Sequence, residues 1–217
     1  MSKHSAEYQT EQEQFWAGSF GDEYSSRNAG KSLLAGNLHL FSRIIERTVG
    51  VHSVTEFGCN RGMNLVALAY LLPEVKLRGV EINQTAIQQL SKQFSEAELA
   101  QPEVIQGSFL DVTLKEKSEL VFSKGVLIHI APERLKEAYG KLFETSTRYV
   151  MVAEYYNPTP TEIPYRGHSG KLFKRDFAGE LMDAYPQLSL IDYGFSYHRD
   201  PCFPQDDITW FLFQKEA

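Results

Sequence analysis

An α/β fold on a mostly parallel seven-stranded sheet, closed by an antiparallel strand pair near the C-terminus, is predicted by three observations. Strand-like and helix-like segments alternate from residue 53 to residue 154. Such alternation specifies parallel strands joined by helices that cover both faces of a sheet. A glycine-punctuated turn, Gly58-Cys59-Asn60-Arg61-Gly62, follows the first strand. Two long strand-like segments, 188–197 and 207–214, then follow each other without a helix between them, so they pair antiparallel at the sheet edge.

The elements come in this order. Residues 7–30 are polar and aromatic, with Phe15, Trp16, Phe20 and Tyr24 set among Gly18, Gly21 and Gly30. Residues 32–49 place Leu34, Leu38, Phe41, Ile45 and Val49 at three- and four-residue spacing, predicting an amphipathic helix. Strands are expected at 53–57, 76–82, 103–106, 119–123 and 148–154, and helices near 62–72, 84–95 and 132–145. After Glu154 comes a loop with Pro158, Pro160 and Pro164, then a helix from about 173 to 184. No repeat, low-complexity tract or charge run marks a linker. The reading is one domain over 1–217, with a segment 1–30 at its front and a loop and helix over 155–186.

Hydrophobic content of 42% and charged content of 23% are those of a water-soluble globular chain. A net charge of −6 argues against broad nucleic-acid binding, which needs a basic surface. Met1-Ser2-Lys3-His4-Ser5 lacks the apolar core of a signal peptide, and no apolar run approaches the roughly 18 residues of a membrane span. Cys59 and Cys202 are too few for a disulfide framework and read as reduced thiols. The expectation is a cytoplasmic enzyme without nucleic-acid or membrane partners, of open oligomeric state.

The turn after the first strand carries the first chemistry. Gly58 and Gly62 let backbone approach a ligand, and Glu81 ends the second strand, where a carboxylate can accept both hydroxyls of a ribose. That pairing points to a nucleoside cofactor. A dinucleotide needs a further glycine where Asn60 stands, to admit a pyrophosphate. Glu56, beside the turn, would repel phosphates but hold a cationic amino group or sulfonium. The residues therefore favour S-adenosylmethionine (SAM). The bland alternative is a strand-turn-helix whose glycines serve packing alone.

With these residues in view, the chain resembles the class I SAM-dependent methyltransferases, whose Rossmann-like sheet ends in such an antiparallel pair. More narrowly, it is similar to small methylases associated with pseudaminic acid biosynthesis. That likeness rests on Phe15-Trp16-Ala17-Gly18, Glu56-Phe57-Gly58-Cys59-Asn60, and Lys124-Gly125-Val126-Leu127-Ile128-His129-Ile130. It continues through Glu154-Tyr155-Tyr156-Asn157-Pro158, Pro164-Tyr165-Arg166-Gly167-His168, Phe173-Lys174-Arg175-Asp176-Phe177 and Tyr197-His198-Arg199-Asp200-Pro201. The resemblance implies methyl transfer to a nonulosonate-type sugar. Two positions depart from the class: Asn60 replaces the middle glycine, and Ser108 stands where an adenine-binding Asp is common.

Each remaining candidate has a rival reading. Glu81 serves either the ribose or a helix cap, although Asn83 is the better cap for the next helix. Ser108 is placed to bond the adenine amino group and Phe109 to lie against the ring, or Phe109 is simply core. Ser123 and Gly125 close the fourth strand, where a sulfonium would sit, and Lys124 should point to solvent or an acid. His129 is the leading general base, since imidazole titrates near neutrality, or it is a packed histidine between Ile128 and Ile130. Trp16 and Tyr24 belong to an aromatic lid facing the sulfonium, with Arg27 gripping the methionine carboxylate, or to a helix merely packed on the sheet. Tyr156 and Asn157 join His129 as catalytic candidates at the carboxyl edge of the fifth strand. Tyr155, Tyr165, Arg166, His168, Lys174 and Arg175 form the substrate side, a local positive field suited to an anionic small molecule or to plain solvation. No histidine spacing fits a metal site. Two further functions stay open: cyclisation of SAM itself to azetidine-2-carboxylate and methylthioadenosine, and non-catalytic SAM binding.

Overall fold

The structure, a computed structural model, describes residues 8–27 and 30–216. Parts of the expected front segment, residues 1–7 and 28–29, lie outside the described residues, as does the polar start Met1–Ser5. Two short helices open the chain, α1 (Glu11–Ala17) and α2 (Ser19–Arg27), followed by the long α3 (Lys31–Arg47). The alternating section runs β1 (Ser53–Phe57), α4 (Met63–Leu71), β2 (Lys76–Glu81), α5 (Gln84–Glu96), β3 (Glu103–Gln106), β4 (Ser118–Lys124), α6 (Leu135–Thr145) and β5 (Ser146–Glu154). Then come β6 (Thr161–Glu162), β7 (Phe173–Lys174), α7 (Phe177–Ala184), β8 (Leu188–Ser196) and β9 (Ile208–Lys215).

Seven strands form one sheet in the order β3-β2-β1-β4-β5-β9-β8. The first five are parallel, while β9 runs antiparallel to β5 and β8 antiparallel to β9. β1, β4 and β5 occupy the centre, which explains the apolar runs 120–122 of β4 and 149–153 of β5. Two cores flank the sheet. On one face Phe41, Leu65, Leu68, Leu90 and Phe94 meet Phe122, Met151, Trp210 and Leu212; on the other Leu135, Leu142 and Leu181 meet Val121, Val150 and Phe213. Strand order reverses between β1 and β4, so their carboxyl ends diverge and open a crevice.

Two differences from the sequence reading have local causes. The helix expected from 173 begins at Phe177, because Phe173–Lys174 pair with Thr161–Glu162 and the Asp176 carboxylate caps α7 by accepting from the Gly179 amide at 2.8 Å. At the front, α1 starts from a reciprocal cap: the Thr10 hydroxyl accepts from the Glu13 amide, and the Glu13 side chain accepts from the Thr10 amide. No described helix is long and apolar enough to cross a membrane. Among the described residues, no group of three or more His, Cys, Asp or Glu gathers as a metal site.

Candidate active site

The crevice is lined from the carboxyl ends of β1, β2, β3, β4 and β5, and α1, α2, α3 and the start of β9 add to it. Its floor is the turn after β1. Gly58 and Gly62 both sit at φ 78°, in the left-handed region, and a Cβ on Gly58 would stand 2.4 Å from Val126 Cγ2. Asn60 takes the same hand at φ 48°. The Glu81 carboxylate holds this turn, accepting from the Asn60 amide at 2.7 Å and the Asn83 amide at 2.8 Å. Burial raises its pKa while those amides oppose the rise. Asn83 caps α5 by accepting from the Ala86 amide at 2.8 Å, as expected of it. Its amide nitrogen donates to Asp22 at 2.9 Å, pinning α2 against the rim.

A polar well lies deeper, beside Gly58 and Gly125. Glu56 is fully buried; its Oε1 accepts from Asn64 at 2.6 Å and its Oε2 has no partner. Burial pushes its pKa up to about 8. Asn37 on α3 is also fully buried, with neither amide atom hydrogen-bonded. Lys124 lines the same space; desolvation lowers its pKa against the pull of Glu56, Asp206 and Glu154. Its ammonium therefore answers to acids, one of the two environments expected for it. Unpaired buried polar atoms are costly; both unpaired Asn37 amide atoms belong to a residue that lines the cavity, while Glu56 does not line it and is bonded to Asn64, which does. A zwitterionic methionine tail fits this set of acid, amide and ammonium, and Glu81 fits the ribose.

The cover comes from the front helices. Trp16 on α1 packs its ring 4.5 Å from that of His129 and 6.3 Å from Tyr165, and Tyr24 on α2 stands 5.1 Å edge-on to Trp16. His129 Nδ1 lies 2.6 Å from the Lys171 carbonyl. A carbonyl only accepts, so Nδ1 carries the proton and Nε2 keeps its lone pair. Burial lowers the pKa to about 4, leaving the ring neutral at ordinary pH.

Of the expected cofactor residues, Trp16, Tyr24, Gly58, Asn60, Glu81, Ser108, Phe109 and Gly125 line the cavity. Phe109 also stacks on Phe57 at 4.4 Å, so the packing reading of that ring holds as well. Gly62 is a hinge of the turn; its Cβ position is filled by Leu90, 2.7 Å away. Three others do not line it: Glu56, which is bonded to the lining residue Asn64, Ser123 and Arg27. Ser123 is wholly buried and donates to Glu154, whose other acceptor sites take the Val126, Leu127 and Ile128 amides. Arg27 is exposed at the end of α2 and does not line the cavity. Arg61 lines it instead, bonding the Ser25 carbonyl at 3.3 Å.

On the catalytic and substrate side, His129, Tyr155 and Tyr165 line the cavity, whereas Tyr156, Asn157, Arg166, His168, Lys174 and Arg175 do not. Strand alternation turns Tyr156 to the opposite side of the chain from Tyr155, and it is 43% exposed. The Asn157 amide closes its own turn, donating to the Thr159 carbonyl at 2.6 Å. Arg166 and His168 occupy an exposed turn held by the reciprocal Tyr165–His168 backbone pair. Lys174 lies 5.2 Å over the Tyr155 ring, and Arg175 is paired with Glu180 at 2.7 Å. The sequence reading missed Asn37, Asn64 and Asp206.

Comparisons with known proteins agree with this geometry. Residues 54–146 match the family model described as a methyltransferase domain. The fold is similar to magnesium protoporphyrin IX methyltransferase from Synechocystis with bound SAH, the demethylated cofactor. The TM-score is 0.70 at 14% identity, covering 94% of this chain and 98% of that one. It is also similar to a SAM-dependent methyltransferase from Clostridium acetobutylicum (TM-score 0.66, 10% identity, 91% and 98% covered). A third is the N-methyltransferase NodS from Bradyrhizobium japonicum in complex with SAH (0.62, 13%, 83% and 86%). No curated protein matches the sequence. The match gives residues 54–146 as similar to a methyltransferase domain, and the fold is that of SAM-dependent methyltransferases. They reach no further: the narrower likeness to pseudaminic acid-associated methylases is not carried by them.

Proposed function

We propose that this protein transfers the methyl group of SAM to a small acceptor held between the α1–α2 cover and the ends of β4 and β5. The observation that carries the reading is the Asn37 amide, buried and unpaired in the cavity lining, with Glu56, whose Oε2 is also unpaired, bonded to the lining residue Asn64. SAM, when bound, supplies a methyl group already activated by its sulfonium. The residues then position, dry the site and handle a proton. Glu81 holds the ribose, while Glu56, Asn37 and Lys124 hold the methionine tail. Trp16 and Tyr24 act as a lid that excludes water. His129 Nε2, neutral with an available lone pair, takes the acceptor's proton. His129→Ala is expected to lower kcat at least tenfold while moving SAH affinity less than threefold; equal losses in both would remove it from this role.

The finer reading is an anionic sugar acceptor of the nonulosonate type, with action in the cytoplasm. Its support is the sequence resemblance together with Lys174 over the ring of Tyr155, a cavity residue. One observation favours a second reading. Lys171 and Arg175 are tied to Glu11 and Glu180, and no charged group of the 166–175 loop lines the cavity. A reaction without a second substrate then fits: SAM's own amino nitrogen loses a proton to a base such as Glu56 and bonds to the γ-carbon. The γ-carbon–sulfur bond breaks, giving azetidine-2-carboxylate and methylthioadenosine. Mass spectrometry separates the readings. With SAM alone, methylthioadenosine supports cyclisation; SAH and a methylated product only when a nonulosonate or its nucleotide-linked form is added support transfer. Tight SAM binding with neither product would leave a binding protein.

A further inference from the structure

The class commonly places an Asp after the third strand to accept the adenine 6-amino group, and here that position holds Ser108. Ser108 keeps a single lone pair of a neutral hydroxyl, a weaker acceptor for an amino group than a carboxylate oxygen. Its hydroxyl proton goes to Glu13 Oε1, and its oxygen already accepts from the Leu110 amide at 3.1 Å. Glu13 comes from α1, far away in sequence. Its other oxygen, Oε2, is fixed by the Thr10 amide at 2.8 Å and the Thr10 hydroxyl at 2.9 Å. The residue is only 8% exposed and, like Ser108, Phe109 and Leu110, lines the cavity. A carboxylate oxygen offers two lone pairs, so Oε1 keeps one for a further donor.

We propose that Glu13 is the residue that reads the adenine 6-amino group, a carboxylate delivered by the cover rather than by the sheet. The inference rests on the SAM reading of the crevice. It has a consequence for specificity. An amino group at purine position 6 donates to Glu13, whereas a 6-oxo group would set a carbonyl against a carboxylate and leave it unpaired. It also has a mechanical consequence. α1 carries Trp16 three residues beyond Glu13 and is fastened to the 166–175 loop by Gln12, which donates to the Gly170 carbonyl at 2.9 Å. Base recognition and placement of Trp16 beside His129 are then one docking event.

The test is calorimetric binding of SAH and of S-inosylhomocysteine, its 6-oxo counterpart, to the full chain. Wild type should bind the inosine compound roughly 30-fold more weakly, the scale of a charge-assisted hydrogen bond lost and an acceptor left unpaired. In Glu13→Gln the ratio should fall below about threefold, since a carboxamide can turn its NH₂ toward the oxo group. Thr10→Ala, which loosens the cap of α1 and keeps the carboxylate, should weaken both ligands alike and preserve the ratio. An unchanged ratio in Glu13→Gln, with SAH still bound, overturns this inference alone. Failure of wild type to bind SAH overturns the cofactor reading and this inference with it.

Discussion

The two ends of the crevice treat buried acids in opposite ways. At the outer end, both oxygens of Glu81 are met by backbone amides, those of Asn60 and Asn83. At the inner end, Glu56 has one partner for two oxygens and Asn37 has none. The Glu81 carboxylate is therefore hydrogen-bonded on both oxygens by the protein itself. The inner end carries the cost of unpaired polar atoms, which the proposed reading has a charged ligand group relieve. Stability and binding should respond together at the first and against each other at the second.

The largest effect is expected at Glu81. Glu81→Ala removes the acceptor for two backbone amides that shape the turn, so it should both lower the melting temperature and weaken SAH binding by on the order of a hundredfold or more. A variant that binds SAH normally would show that the acid is a turn brace and nothing else.

Glu56 should show the opposite coupling. Its pKa stands at about 8 in the folded chain against an ordinary 4.5. Between those values the folded state holds a proton that the unfolded state has released, so stability is fully present below 4.5 and drains away as pH rises through 8. The shift is on the order of 4 kcal/mol at its full extent. Glu56→Gln should therefore be more stable than wild type at pH 8 while binding SAH about tenfold more weakly. In wild type, a cationic amino group arriving at Glu56 favours the carboxylate, so binding should release a proton and tighten from pH 6 to pH 8. Calorimetry in buffers of different ionisation enthalpy reads that proton; none released would place the amino group elsewhere.

Asn37 tests the same contrast without a charge. Asn37→Leu replaces two unpaired polar atoms by an apolar group of similar size. It should raise the melting temperature by several degrees, the scale of about 1–3 kcal/mol recovered, and weaken SAH binding about tenfold. Loss of stability would mean that the amide is satisfied within the protein.

What the sequence disclosed follows the same division. The sheet, its antiparallel close, Gly58, Gly62 and Glu81 were legible because strand period, left-handed turns and strand-end acids are local properties. Asn37 was hidden, yet a signal existed: it shares the stripe of Leu34 and Phe41 on α3, a polar residue where the period calls for an apolar one. α1 was similarly readable from Thr10 and Glu13 at capping-box spacing. Lys124 was expected beside solvent or an acid, but which acid was not legible, since its acids come from β1, β5 and the loop before β9. Such long-range convergence leaves no mark on any single segment. The basic residues after Pro164 looked like one field, but an exposed turn and an ion pair with α7 disperse them.

The smallest expected effect separates two neighbours. Tyr155 and Tyr156 both follow Glu154 and look alike in sequence, but the chain presents them on opposite sides. Tyr155 lines the cavity under Lys174, and burial raises its phenol pKa. Tyr156 faces outward, 6.2 Å from the ring of Phe211. Tyr155→Ala should lower kcat/KM at least tenfold, whereas Tyr156→Ala should change it less than twofold, within the range of an ordinary surface substitution. A reversed order would mean that the acceptor approaches along the outer face of β5 and β9, and that the cavity holds the cofactor alone.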